Sequence, residues 1–240
     1  MLSDKMCSTI SQDIQNYWDT HISELDAQLQ GKERGHKIAD IIDEKTTMYL
    51  SSKYDSAYER KKSPGGDPMP RSMGDIWIKD QGVYHPVNIK TGIKGSEGQP
   101  NMVSMHKLLN AILSNSIDSY YLLMVKIKEK SVTDKTTASI IFVDMLNIID
   151  YITYDAGPGQ IMLKAKAFFD KIDREGAAFQ NGSTIKEKVE KLAALMRDGE
   201  SRLVSNRKKR LEVIEKSITS YLDNTPFVVS VDNQARFNLA

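Results

Sequence analysis

Gly74-Asp75-Ile76-Trp77-Ile78 and, past Gln81-Gly82, Val87-Asn88-Ile89-Lys90-Thr91-Gly92 are the stretches whose reading decides the fold. An acidic residue opens a short apolar run with strand character, and a second alternating segment follows the Gln81-Gly82 turn. A hairpin around that turn brings Asp75, Asn88 and Lys90 together. Alternation sends Asn88 and Lys90 to one side of the second strand and Val87 and Ile89 into the core. One carboxylate, one neutral oxygen ligand and one ammonium on a shared face suit a Mg²⁺ site with a lysine-assisted water.

Working outward, the 240-residue chain is long enough to bury a sizeable core and reads as a single domain. Its 40% hydrophobic and 27% charged content is that of an ordinary globular protein. No apolar run approaches the roughly 18–20 residues that span a bilayer, and Met1 to Cys7 lacks a secretory pattern. One cysteine excludes an intrachain disulfide and any Cys-based zinc site, which favours a reducing cytoplasm. His21, His36, His85 and His106 show no paired metal spacing, and no GxxxxGK[ST] motif marks a nucleotide cofactor. A net charge of +1 is compatible with a nucleic-acid enzyme without announcing one.

In chain order, Ile10, Ile14, Trp18, Ile22, Leu25 and Leu29 recur at helical spacing over residues 8–30. A second helix carries Ile38, Ile41 and Ile42, with Asp40, Asp43 and Glu44 on its polar side. Residues 61–70 form a Pro/Gly loop, either a mobile segment near a ligand or a plain surface connection. Pro100 suits the first turn of a helix that runs on through Met102, Val103, Met105, Leu108, Leu109, Ile112 and Leu113. Tyr120–Ile127 reads as a central strand, residues 138–149 as another and residues 160–168 as a last one, with Gln160, Met162, Lys164 and Lys166 on one face. The tail from Thr184 to Leu222 reads as helical, with breaks near Gly199 and Asn206. Its Arg207-Lys208-Lys209-Arg210 cluster is a solvated helix face or, less commonly, a phosphate contact.

The spacing of Asp75, Asn88 and Lys90, with the Gly98-Gln99-Pro100-Asn101-Met102 helix start behind it, resembles the PD-(D/E)xK nucleases, and within them the type II restriction endonucleases of the HincII and EcoRV branch. The resemblance covers most of residues 36–220, with two departures: Asn88 stands where the family has an acid, and Gly74 precedes Asp75. It implies an α/β fold, a restriction-endonuclease-like mixed central sheet flanked by helices, with one nuclease domain over 1–240 and helical segments at both ends. It also implies Mg²⁺-dependent, sequence-specific hydrolysis of double-stranded DNA to 5′-phosphates by a homodimer in the bacterial cytoplasm, as part of a restriction–modification system. Asp75 would be the main metal ligand, Asn88 and the Ile89 carbonyl further ligands, and Lys90 the group that polarises water. Glu44, ahead of Asp40, would supply a helix carboxylate, the need being greater because Asn88 is neutral. Gln99 and Asn101 would read bases, unless Asn101 only caps its helix, and Lys94, Ser104, Lys107, Lys164 and Lys166 would meet DNA. The other readings are a structure-specific repair or junction nuclease, and a catalytically degraded DNA-binding module of the same fold.

Overall fold

The computed structural model describes residues 1–25, 36–57, 73–93, 100–128, 135–176, 179 and 183–223. The chain divides into two compact units, Met1–Met196 and Arg197–Ala240. Helix α1 (Asp4–His21) begins where the Ser3 hydroxyl accepts the Met6 N–H at 3.3 Å, and it buries Ile10, Ile14 and Trp18, four residues apart. Helix α2 (His36–Lys53) buries Ile38, Ile42 and Leu50. The Trp18 Nε1–H joins the two helices by donating to the Thr46 hydroxyl at 3.1 Å.

The hairpin is present as expected. Strands β2 (Ile76–Asp80) and β3 (Val83–Ile93) pair antiparallel from Ile76↔Val87 to Asp80↔Val83. Gln81 and Gly82 turn the chain with φ of 48° and 83°, the pair of positive values that matches the twist of flanking strands. With β1 (Ser56–Ala57), β5 (Tyr121–Lys128) and β6 (Thr137–Asp144), they form a mixed sheet of order β1-β2-β3-β5-β6. Only β3 and β5 run parallel in it. These two adjacent strands are covered on both faces, which is why Tyr121–Val125 is continuously apolar.

One face of the sheet buries Ile76, Ile78, Val87, Ile89, Leu123 and Val125 against α1 and α2. The other face buries Leu122 and Met124, with Trp77 partly buried beside them. Its covering elements are α3 (Met105–Leu113), α4 (Ala165–Glu175) and the small antiparallel sheet of β4 (Asn101–Ser104), β8 (Gln160–Leu163) and β7 (Ile152–Asp155). Thus the protein is mixed α/β with a mixed sheet flanked by helices. The second unit, to its last described residue, consists of the outer part of α5 (Ile185–Leu222).

Four expectations need correction. Residues 101–104 are a strand, because Asn101 and Ser104 pair with Met162 and Gln160 of β8, and the helix opens only at Met105. The strand expected to run to Phe168 stops at Leu163. There the apolar period changes from two to three and four, with Ala165, Phe168 and Phe169 buried in α4. Strand β6 ends at Asp144, whose Oδ1 accepts the N–H groups of Leu146 (3.0 Å) and Tyr120 (3.2 Å) and turns the chain into a 3₁₀ segment. Finally, α5 is unbroken across Gly199 and Asn206. The 61–70 loop lies outside the described residues.

Strand β6 is at one end of the sheet order, and α1 covers its open edge with a side chain in place of a strand. The Gln15 amide donates to the Ala138 carbonyl at 2.9 Å and accepts the Ile140 N–H at 3.2 Å. Gln15→Ala strips both partners from a part-buried edge. It should lower stability to denaturant unfolding by about 1–2 kcal/mol and increase self-association in light scattering.

Candidate active site at the open edge of the sheet

The ladder between β2 and β3 stops at Ile76↔Val87, while β3 continues to Ile93. On that side, β3 beyond Val87 has no strand partner among the described residues. Asp75, immediately before β2, takes over. Its N–H donates to the Val87 carbonyl at 2.9 Å, and its carboxylate Oδ2 accepts the Ile89 N–H at 2.7 Å. The carboxylate is thereby fixed at the point where the strands separate.

The segment before it is held as firmly. The fully buried Tyr120 hydroxyl donates to the Met73 carbonyl at 2.6 Å. Burial, with the nearby Asp75 charge second, keeps that phenol protonated well above its ordinary range. A Cβ on Gly74 would lie 3.0 Å from the Ile76 carbonyl oxygen and from the Val87 nitrogen and oxygen. Backbone packed this closely leaves no room for a side chain, so local geometry itself calls for glycine at position 74.

Lys90 reaches back so that Nζ lies 4.0 Å from Asp75 Oδ2, with the two side chains 22% and 43% exposed. The third charged group is Asp43 of α2, whose Oδ1 accepts the Thr91 hydroxyl at 2.8 Å. Burial pushes the Asp43 carboxyl up to about 7, against the opposing pull of Lys90 and the Thr91 hydrogen bond and with a further push from Asp75. The helix carboxylate brought to Lys90 and Asp75 is therefore Asp43. Glu44 and Asp40 are exposed on the helix surface, and Asp40 is the weakest of the charges felt by Asp43.

Asn88 does not look outward beside Lys90. It is 5% exposed, and its Nδ2 donates to the Met102 carbonyl of β4 at 3.2 Å. The expectation of an open Asn88 fails because this part of β3 is covered on both faces. Its Oδ1 is buried with no hydrogen-bond partner among the described residues, and Ile89 is fully buried.

The residues expected at DNA are dispersed or undescribed. Lys94 and Gln99 lie outside the described residues. Asn101 is exposed at the start of β4, and Ser104 and Lys107 are half-buried at the start of α3. Lys164 sits just before α4 with Nζ donating to the Asp150 carbonyl at 3.3 Å, and Lys166 lies within α4, so the two do not share a strand face.

Among the described residues, no three His, Cys, Asp or Glu side chains are gathered to hold a metal ion. The edge does offer two carboxylates, those of Asp75 and Asp43, whereas Asn88 Oδ1 is buried on the side covered by β4. That composition fits Mg²⁺, which takes one or two carboxylates and fills its remaining positions with water and phosphate oxygens. No family model matches the sequence, and no curated protein matches it either.

Two predictions follow from the charges and the buried amide. An aspartate at position 88 would set a carboxylate against the Met102 carbonyl and lose a hydrogen bond. Asn88→Asp should therefore lower stability by about 1–3 kcal/mol at pH 8, with the loss shrinking at pH 5 as the buried acid takes up a proton. Denaturant melts at the two pH values measure both terms. For Asp43, the folded protein holds the proton more tightly than the unfolded chain, which releases it near the ordinary 3.8. Its contribution to stability is thus complete at acid pH and declines as pH rises from about 4 to about 7. Asp43→Asn should consequently gain stability relative to the native chain between pH 5 and pH 8, and a constant difference would contradict the assignment.

Proposed function

We propose that this protein is a Mg²⁺-dependent, sequence-specific DNA endonuclease of restriction-endonuclease-like fold, acting as a homodimer in a bacterial restriction–modification system. The observation that carries the reading is the convergence of Asp75, Lys90 and Asp43 where β2 leaves β3. The resemblance to PD-(D/E)xK enzymes supports it from the sequence side. Reaction at this edge is hydrolysis of a phosphodiester to a 5′-phosphate and a 3′-hydroxyl.

Each residue has a distinct task. Asp75 and Asp43 would hold the cation, and Asn88 Oδ1 is a neutral oxygen in the same segment. When bound, Mg²⁺ supplies Lewis-acid activation of water and of the phosphoryl oxygen. The Lys90 ammonium orients the attacking water and stabilises the negative charge that grows on the phosphate in the transition state. Asp43 must lose its proton to hold a cation, so cleavage should strengthen through neutral pH. A two-fold-symmetric dimer matches a symmetric duplex site, each chain cutting one strand.

A second reading is favoured by one observation. Asn88 stands at the family's acidic position and is spent on an internal hydrogen bond to Met102, as suits a DNA-binding module that has lost catalysis. Digestion of supercoiled plasmid with Mg²⁺ separates the readings. Discrete fragments support the restriction enzyme, structure-dependent nicking a repair nuclease, and retention without cleavage the binding module. Lys90→Ala should reduce cleavage by roughly 10²–10⁴-fold while DNA binding stays within a few-fold. Equal loss of both would make Lys90 a phosphate anchor and remove the catalytic assignment.

A further inference from the structure

The outer part of α5 carries an apolar stripe that is exposed among the described residues. Val204, Leu211, Ile214, Ile218 and Tyr221 are 65%, 55%, 46%, 53% and 83% exposed. Val204, Leu211 and Ile218 recur every seven residues, and Ile214 and Tyr221 take the second position of the same heptads. A strict seven-residue apolar repeat is the seam of a coiled coil, and a straight surface helix has no use for it. The stripe extends about 26 Å from Val204 to Tyr221 at roughly 1.5 Å per residue.

The charges identify the occupant. Arg207 holds the remaining seam position, so parallel packing of two copies would set Arg207 against Arg207. Turning one helix over places Arg207 against Ile218, Leu211 against Ile214 and Val204 against Tyr221. The same antiparallel register runs Lys208 beside Glu215, twice by symmetry. Opposite charges then flank an apolar seam and no like charges meet inside it. We propose that α5 of one chain pairs antiparallel with α5 of a second copy through this stripe. The pairing does not depend on the nuclease reading and would hold for a chain without catalytic activity.

The test is the mass of the full-length protein in solution, measured by light scattering after size exclusion. The native chain should have twice its 27.1 kDa mass. Leu211→Glu combined with Ile218→Glu should return it to a single mass with unchanged far-UV helicity, both side chains being exposed. A native chain of single mass at the highest concentration it tolerates, or a double variant that stays at twice the mass, overturns the proposal. Cysteine pairing tests orientation without altering the rest of the stripe. In a Cys7→Ser background, Val204→Cys chains mixed with Tyr221→Cys chains should form an oxidised heterodimer. Val204→Cys chains that link to one another instead would overturn the antiparallel arrangement.

Discussion

The hydrogen bond from the Ile89 N–H to the Asp75 carboxylate is the constraint on which the candidate site depends. A strand that outruns its neighbour leaves N–H groups unsatisfied, and near a core such groups must find partners. Here the partner is a charged side chain, so one interaction completes the edge of the sheet and immobilises a carboxylate. Lys90 is then placed by the pleat of β3, one residue beyond the bonded Ile89, and Thr91 by the next step, where it meets Asp43. Structural need and candidate chemistry share the same atoms. Loss of the carboxylate would leave the Ile89 N–H without its partner as well as remove a charge from the candidate site.

The electrostatics of the edge are unbalanced by design of the fold. Two carboxylates face one ammonium, and the more enclosed acid, Asp43, responds by holding its proton to about neutral pH. Such a group is a poor structural ion pair. On the proposed reading, a divalent cation arriving from solution would replace both the missing solvation and the missing counter-charge.

How much of this was legible in the sequence varies with the kind of signal. The hairpin was readable because Gln81-Gly82 and the alternation on either side fix turn and register together. The central position of β5 was readable because a strand covered on both faces is apolar at successive positions, as Tyr121–Val125 is. The identity of the helix carboxylate was not: Asp40, Asp43 and Glu44 lie within little more than one turn, and the rotation of α2 is set by Ile38, Ile42 and Leu50 packing on the sheet. Asn88 misled for a related reason. Alternation gives the side of the strand to which a residue belongs, but cannot say that the other side is also covered by β4. Lys164 and Lys166 were misplaced because the change of period falls inside a four-residue window.

The chain's two indoles lie on opposite faces of the main sheet. Trp18 of α1 is fully buried and donates to the Thr46 hydroxyl of α2, whereas Trp77 is partly covered and stands two residues after Asp75. An indole in apolar surroundings emits to the blue of one that touches water. The protein therefore carries its own pair of optical reporters, one for each hydrophobic layer. Trp18 responds to loosening of the N-terminal helices, and Trp77 to disturbance of the strand that begins at the candidate site. With each replaced in turn by phenylalanine, the two layers are separable in a single unfolding trace, without any attached label.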